Sequence, residues 1–149
     1  MISRNFAISE FVASHTATRL GIDNTPSASV VATLTNVLIP AMQQVRDLLG
    51  VPVIVKSGYR CPHLNAVVRG APGSDHLTGN AADFVAPAFG DPLTVCRFLQ
   101  GKMDEIKFDQ LIYEVNWVHI SFRVRRRAQV LTAHFSPNGV RYTEGLAPA

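Results

Sequence analysis

Apolar residues recur along the chain at two spacings, and each spacing predicts a different set of elements. Helical spacing is longest between the N-cap candidate Ser27 and Gly50, where a glycine is suited to end a helix. Pro40 lies inside this segment and predicts a kink or a division into two helices, because proline lacks an amide hydrogen. Shorter helices are predicted at three further places: Ser9 to Leu20, a brief helix from Pro62, and a helix from Asp91-Pro92.

The second half of the chain carries most of the β-branched and alternating stretches that are typical of strands. These are Val51 to Lys56, the NAADFVA stretch, Phe108 to Val115, Trp117 to Val124, and a terminal hairpin that turns at Pro137 to Gly139. Helices come first and hairpin-connected strands follow, a pattern that favours an α+β fold over a doubly wound one. We therefore expect one domain over residues 1–149, with a small central antiparallel sheet and helices packed on it.

Composition supports a folded domain, and the charge is uneven. The chain has 149 residues, of which 47% are hydrophobic and only 17% charged, so a substantial core is available. The net charge of +3 depends on Arg123, Arg125, Arg126 and Arg127, because the other 10 of the 14 Lys and Arg residues are outnumbered by the 11 Asp and Glu residues. We interpret this run as a local patch that either binds an anionic polymer or forms a solvated strand edge, and we expect no nucleic-acid partner.

Targeting signals and cysteines add two expectations. The chain has no apolar run of membrane-spanning length, and its N-terminus lacks the apolar core of a signal peptide, so we expect synthesis in the cytoplasm and no membrane span. Cys61 and Cys96 do not have the spacing of a paired metal site, which leaves one disulfide or two free thiols open.

Three residues have side chains suited to binding a metal ion. His76 lies in a glycine-bounded loop, Asp83 follows in a predicted strand, and His119 lies in a later strand. Imidazole and carboxylate are suitable zinc ligands, and a catalytic zinc needs three protein ligands and an open position for water. Asp83 shares its strand face with small or apolar neighbours, so an unpaired carboxylate there would be costly and a cation would remove the cost.

The string SDHLTGNAADF has the form SxHxxGxAxD, and it is accompanied by SGYRCPHLNAVV upstream and by FDQLIYE and WVHIS downstream. With these motifs the chain closely resembles the zinc D-Ala-D-Ala carboxypeptidase and L-alanyl-D-glutamate endopeptidase family, which has a Hedgehog-like peptidase fold. The resemblance extends over nearly the whole chain to about Phe122. The FAISEF and GIDNTP segments are similar to those of compact, phage-associated members.

The resemblance implies a site, a cofactor and a substrate. It makes His76, Asp83 and His119 the ligands of one Zn²⁺ per chain, and it makes Arg60 the residue that holds the substrate and the oxyanion. It assigns Ser74, Tyr59 and Asn65 to hydrogen bonds around the ligands. The implied partner is a peptidoglycan stem peptide, cut by a monomeric enzyme. The protein would reach the cell wall through phage-type lysis, as an endolysin does, or as a virion component.

A zinc peptidase also needs a general base, and Glu114 is the candidate. If the hairpin turns at Asn116-Trp117, Glu114 lies directly opposite His119 and beside the metal. Better-known members of the family carry the base three residues before the last histidine, where this chain has Asn116. A solvent-facing Glu114 and a reserve base at Asp109 therefore stay open.

Two functions from different classes fit these residues, and a third is weaker. The first is a zinc metallopeptidase that cleaves peptidoglycan stem peptides as a D,D-carboxypeptidase or an endopeptidase. The second is a non-catalytic, zinc-stabilised phage or cell-wall binding module, which the departure at Asn116 allows. The third is a nucleic-acid protein that uses the arginine run.

Overall fold

The computed structural model describes residues 3–148 of the chain. Its helices and strands are, in chain order, α1 (His15–Leu20), α2 (Ala28–Thr33), α3 (Ile39–Leu49), β1 (Ile54–Ser57), α4 (Pro62–Val67), β2 (Ala81–Val85), α5 (Pro92–Gln100), α6 (Met103–Ile106), β3 (Gln110–Tyr113), β4 (Val118–Ser121), β5 (Gln129–Ser136) and β6 (Gly139–Glu144). Ile8–Phe11 and Asp75–Thr78 form 3-10 turns, and Leu34–Leu38 forms a π-helical turn.

The six strands form one sheet in the order β1-β2-β4-β3-β5-β6, which confirms the predicted α+β class. The sheet is mixed, however, and the expectation of a purely antiparallel sheet is wrong at one pairing. Strand β5 runs parallel to β3, with Gln129 beside Gln110. The reason is that the chain leaves β4 at the end where β3 begins, and the segment 122–128 then carries it to the other side of β3.

The longest helical stretch runs from Ala28 to Leu49 without a break. The Ser27 hydroxyl accepts a hydrogen bond from Val30 N–H at 3.3 Å, and Gly50 ends the stretch in the left-handed conformation, as predicted. Pro40 does not divide the stretch. The π-helical turn just before it widens the helix at the point where the proline ring would clash with the preceding turn.

The N-terminal helix prediction is corrected in its bounds. The segment Ser9 to Leu20 contains a 3-10 turn and then α1, which is capped by Ser14 through a 3.1 Å hydrogen bond from Ala17 N–H. Phe11 of the 3-10 turn is fully buried and packs in the main core with Phe6. The segment therefore covers the sheet end that carries β1 and the loop after it.

The two faces of the sheet have different chemistry. One face packs against the helices and forms the main core, with buried residues that include Ala82, Phe84, Leu111, Tyr113, Val118 and Ile120. Residues paired across neighbouring strands point to the same side. Asp83, His119, Ile112 and Leu131 are paired in succession, so they share the opposite face. Chemistry-bearing side chains are thus held on a rigid scaffold, outside the apolar core.

The helical stretch Ala28–Leu49 is long and apolar enough, by length and composition, to cross a membrane. In this fold its apolar side chains pack in the core instead. Leu34, Leu38, Met42 and Val45 have no exposed surface and belong to the core cluster that packs on the sheet. Each such side chain stabilises the fold by about 1.5–3 kcal/mol through burial. In the fold, the stretch acts as the main core helix.

The arginine run does not form a strand, and most of it is engaged in the fold. Arg123 Nε lies 2.8 Å from Asp75 Oδ1, and Arg127 Nη2 lies 2.7 Å from Asp109 Oδ2. Arg126 donates to the Met103 carbonyl at 2.7 Å. The interpretation of this run as a solvated strand edge is therefore wrong, and its binding of an anionic polymer stays a prediction. We refer to Asp75, Asp109, Arg123 and Arg127 as the arginine clamp.

Candidate metal centre

Three predicted ligands converge on one point of the sheet face. His76 Nε2 lies 3.2 Å from Asp83 Oδ1, and His119 Nδ1 lies 2.9 Å from the same oxygen. All three side chains are buried, and their candidate ligand atoms lie within 4.8 Å of one another. Two ligand atoms on one tetrahedral zinc ion are about 3.3 Å apart, given zinc-ligand distances near 2 Å. We call His76, Asp83 and His119 the metal cluster.

The backbone of the SGYR segment fixes the orientation of His76. The Gly58 carbonyl oxygen accepts a hydrogen bond from His76 Nδ1–H at 2.6 Å. Gly58 packs so closely against Phe11 that a Cβ atom at position 58 would overlap the Phe11 carbonyl oxygen. Tyr59 N–H donates to the same Phe11 carbonyl at 2.7 Å. A glycine is required at 58 because any side chain would separate these two backbone segments.

This orientation makes the cluster suited to a cation. Because Nδ1 of His76 donates to Gly58, its neutral ring carries no proton on Nε2. The Nε2 lone pair then faces a carboxylate oxygen at 3.2 Å, and two acceptors at that distance repel one another. A metal ion between them replaces this repulsion with two attractive bonds. The donor set of two imidazoles and one carboxylate is also that of catalytic zinc sites, and so the residues fit zinc.

The charges of the cluster agree with a site that attracts positive charge. Burial alone would raise the pKa of Asp83, but His76 and His119, when protonated, outweigh it through their charge and hydrogen bonds and hold this pKa well below its usual range. Burial would lower the pKa of His119, and the hydrogen bond and charge of Asp83 outweigh this effect and raise it. Both shifts have the same cause, a buried anion beside two imidazoles.

Glu114 reaches the cleft by a different route from the one predicted. The register prediction is wrong, because His119 is paired with Ile112, and Glu114 is opposite Trp117. The hairpin turns one residue earlier, at Val115, which has a left-handed φ of 63°. Glu114 nevertheless shares the sheet face of Ile112, two residues before it, and its side chain lines the same cleft as the metal cluster.

The Glu114 carboxylate is held by one neutral donor and lies in an unusual environment. Trp117 Nε1 donates a hydrogen bond to Glu114 Oε2. Burial, and next the negative charge of Asp83, raise the pKa of Glu114, although His119, Trp117 and Arg60 oppose the rise. A carboxyl with a raised pKa is suited to exchange a proton near neutral pH. The geometry brings this group beside the metal cluster.

Arg60 enters the cleft from the loop after β1. Its backbone N–H donates to the His76 carbonyl at 3.1 Å, and its Nη2 lies 3.4 Å from Ser74 Oγ. Burial lowers the pKa of Arg60, while Asp83 and Glu114 oppose that, and an arginine stays charged in any case. Within residues 3–148, its buried Nε has no hydrogen-bond partner. The guanidinium therefore has donors to spare for an anionic group.

Of the three residues predicted to hydrogen-bond around the ligands, Ser74 contacts a ligand residue, and Tyr59 and Asn65 have their partners elsewhere. Ser74 Oγ accepts from the backbone N–H of His76 at 3.2 Å, and so it holds the ligand's backbone and not its side chain. Tyr59 is buried in the main core, with Asn24 Nδ2 donating to its carbonyl at 3.0 Å. Asn65 Nδ2 donates to Ala71 O at 2.9 Å and braces the loop. Asp109, the reserve base, is fully buried and bound by Arg127.

The cluster lies in a cleft of about 490 Å³. Its lining includes side chains that the sequence interpretation did not single out: Arg69, Asp75, Ile112, Trp117, Leu131, Phe135, Val140 and Tyr142. Trp117 had a usable signal, since it lies two residues before His119 in WVHIS. No local signal in the sequence pointed to the residues of β5 and β6, because their place beside the cleft follows from the parallel pairing of β5 with β3.

An α+β domain with a buried His-Asp-His cluster, beside a carboxylate and an arginine in one cleft, defines a metallopeptidase type of site. The family model for Peptidase M15 matches residues 4–121 of the chain. The chain therefore belongs to peptidase family M15, the zinc D-Ala-D-Ala carboxypeptidase family, whose members are zinc-dependent. No curated protein matches the chain. The closer likeness to phage-associated members stays a prediction.

Cys61 and Cys96 are both free thiols, which closes the alternative of a disulfide. Cys61 caps α4, with Leu64 N–H 3.4 Å from its sulfur, and Cys96 is fully buried. Burial raises the pKa of Cys96 to about 12, which keeps this thiol protonated and inert. Neither residue lines the cleft.

Proposed function

We propose that the protein is a zinc-dependent peptidase that hydrolyses an amide bond of peptidoglycan stem peptides. The observation that carries this proposal is the convergence of His76 and His119 on one oxygen of Asp83, in a cleft that also holds Glu114 and Arg60. Membership of peptidase family M15 supports the hydrolytic chemistry. Whether the enzyme acts as a D,D-carboxypeptidase or as an L-alanyl-D-glutamate type endopeptidase is decided by the products.

His76, Asp83 and His119 would hold the zinc ion. When bound, zinc lowers the pKa of a coordinated water to about 7 and polarises a peptide carbonyl. Glu114 takes a proton from the attacking water and delivers it to the nitrogen of the leaving amine. Trp117 fixes one oxygen of this carboxylate, so the other oxygen is free to accept the proton.

Arg60 acts on the negative charge that the reaction creates. As water adds to the carbonyl carbon, charge develops on the carbonyl oxygen, and a fixed guanidinium stabilises that charge. The Ser74 contact and the backbone bond to His76 hold Arg60 beside the ligand loop. The same cation is suited to a carboxylate of the stem peptide. Because the cleft is concave and partly buried, these interactions are less screened by water than at an open surface.

The proposal is tested with purified peptidoglycan and mass spectrometry of the released peptides. We expect the zinc-loaded protein to release fragments cut at one type of amide bond. Glu114→Gln should keep its zinc and lose activity by about 10²–10⁴-fold, the usual contribution of a general base. Glu144→Gln is the matched control, because this exposed glutamate is not among the residues that line the cleft.

One result would overturn the proposal, and a second would remove one residue from it. If the wild-type protein binds one zinc but cuts no bond in peptidoglycan, the non-catalytic zinc-stabilised binding module is the better description. If Glu114→Gln cleaves at the wild-type rate, Glu114 is removed from the mechanism. The localisation at the cell wall, after phage-type lysis or in a virion, is part of the proposal, and lysis of intact cells from outside tests it.

A further inference from the structure

The hairpin formed by β5 and β6 lies beyond the segment that matches the family. The match ends at residue 121, which is the last residue of β4. The hairpin still lines the cleft through Leu131, Phe135, Val140 and Tyr142. It reaches this place because Leu131 is paired with Ile112, which is paired with His119. One side of the cleft is therefore built by a part of the chain that the family match does not cover.

The hairpin presents a row of apolar side chains to the cleft. Phe135 is directly opposite Val140, and Tyr142 is opposite Ala133, so these side chains share one face. Phe135 is 54% exposed, Val140 43% and Tyr142 47%, which is a large apolar surface to leave in contact with water. We call Leu131, Phe135, Val140 and Tyr142 the hairpin wall. It continues into Trp117, whose ring centroid lies 6.0 Å from that of Phe135.

The rest of the cleft lining is mainly polar and carries three arginines and three acidic residues. Arg60 and Arg69 come from the loops around α4, Arg127 comes from the segment before β5, and Asp75, Asp83 and Glu114 are the acidic residues of the lining. Tyr142 lies close enough to Glu114, Asp83 and Arg60 for their charges to act on its hydroxyl. Burial raises the pKa of Tyr142, Glu114 and Asp83 add to the rise, and Arg60 opposes it, so the phenol remains a neutral donor. The cleft thus has an apolar side and a charged side.

We propose that the hairpin wall is a substrate subsite that receives an apolar side chain of the peptide next to the cleaved bond. The inference rests on the proposed peptidase function, and it names what selects the peptide. Apolar surface that is continuous with the site gains free energy only when an apolar group covers it. A stem peptide with methyl side chains and carboxylates matches a cleft that has one apolar side and arginine side chains on the other.

The subsite is tested with pairs of synthetic stem pentapeptides. Each alanine is replaced in turn by 2-aminobutyrate or by serine, which are close in size and differ by a methyl against a hydroxyl group. At one position we expect the zinc-loaded wild-type protein to prefer the aminobutyrate peptide by roughly tenfold in kcat/KM. The double variant Phe135→Ser with Val140→Thr should bring that ratio close to one and leave the zinc content unchanged.

Arg141→Ser is the matched control, because Arg141 is adjacent to Tyr142 in sequence and points to the other face of the hairpin. It should keep the wild-type ratio. Tyr142→Phe is a milder second variant, which keeps the ring and removes only the hydroxyl. Since the substituted side chains are about half exposed, the fold should tolerate the changes, and thermal melting checks this.

Peptide binding is also followed by the fluorescence of Trp117, the one tryptophan of the chain, so the subsite and the peptidase function can fail separately. If no peptide is cut but the wild type binds aminobutyrate peptides more tightly and the double variant does not, the function fails and the subsite stands. An unchanged ratio in the double variant, in cleavage and in binding, overturns the subsite. A loss of cleavage and binding in the double variant that is confined to stem peptides linked to their disaccharide also overturns the subsite, because the hairpin wall would then bind a sugar ring.

Discussion

The sheet face and the loops around it hold two groups of buried carboxylates, and the two differ in their partners. In the metal cluster, Asp83 contacts two imidazoles at 3.2 and 2.9 Å. In the arginine clamp, Asp75 and Asp109 contact guanidinium groups at 2.8 and 2.7 Å. The distances are nearly the same, but the chemistry is not. A guanidinium brings a fixed positive charge and completes the pair, whereas a neutral imidazole leaves the anion in need of a cation.

The difference is that the imidazole partners of Asp83 can give up their protons and bind a cation instead, whereas the guanidinium partners of Asp75 and Asp109 stay charged. Asp75 and His76 are neighbours in sequence, yet they belong to different groups. Asp75 is turned toward Arg123 and Arg127, and His76 is turned toward Asp83. The clamp therefore ties the loop that carries one ligand to the segment that follows the strand of another, and it holds the metal cluster in place without joining it.

The largest effect should follow from loss of the metal, since only the metal cluster needs a cation. His76→Ala, or treatment with a chelator, should remove the zinc and reduce kcat/KM by about 10³-fold or more, because metal assistance is worth several kcal/mol. Zinc analysis and peptide hydrolysis measure both effects. His63→Ala makes the same substitution at an exposed histidine and should change neither quantity. A His76→Ala protein with full zinc and full activity would remove the distinction between the two groups.

Breaking the clamp should affect stability and leave chemistry intact. Asp109→Asn leaves Arg127 without its closest anion, and we expect a loss of about 2 kcal/mol in the free energy of unfolding. This is less than the roughly 3–5 kcal/mol of a fully buried pair, because the Arg127 side chain is 37% exposed. Urea unfolding measures the loss, with the exposed Asp104→Asn as control. Loss of zinc from Asp109→Asn would show that the clamp and the cluster are one unit.

The Asp109–Arg127 pair also makes the free energy of unfolding depend on pH, in a direction that can be predicted. Burial would raise the pKa of Asp109, but hydrogen bonds and charge from Arg127 outweigh burial and lower it. A carboxyl with a lowered folded pKa stabilises the fold above its unfolded pKa of about 3.9, and this contribution is lost as the pH falls toward the folded value. The stability difference between wild type and Asp109→Asn should therefore shrink below about pH 4.

Local signals in the sequence predicted the caps and the metal cluster, and non-local pairings were missed. Ser27, Gly50 and Asp91 act on residues within one turn, so their roles follow from the sequence around them. The ligand set was implied by a motif that keeps its spacing. The parallel β5 depends on segment 122–128 passing from one side of β3 to the other, which no local pattern specifies.

The position of Glu114 was missed for a related reason. A two-residue turn usually has glycine or asparagine at positive φ, so Asn116 was the expected turn residue. The chain instead places Val115 there, with Asn116 N–H donating to the Glu114 carbonyl at 2.7 Å. A β-branched residue in this conformation is rare, and it is held by the surrounding pairings, not by its own preference. The register therefore differs by one residue from the expected one, and Glu114 lies opposite Trp117.

The smallest effect should come from Trp117, which tests a third kind of carboxylate partner. Glu114 is bound by a neutral indole N–H, so it is neither saturated by a fixed charge nor in need of a metal, and its proton can move. Trp117→Phe keeps an aromatic ring against Phe135 and removes only that donor. We expect kcat to fall about tenfold, because a hydrogen bond to a charged group is worth about 1.5 kcal/mol or more, while KM and zinc content stay unchanged.

Steady-state kinetics separates the two constants, and Trp117→His, which restores a ring N–H, should recover part of kcat. A rise in KM with kcat unchanged would instead make Trp117 a substrate contact of the hairpin wall, and the neutral partner would then have no part in directing the proton.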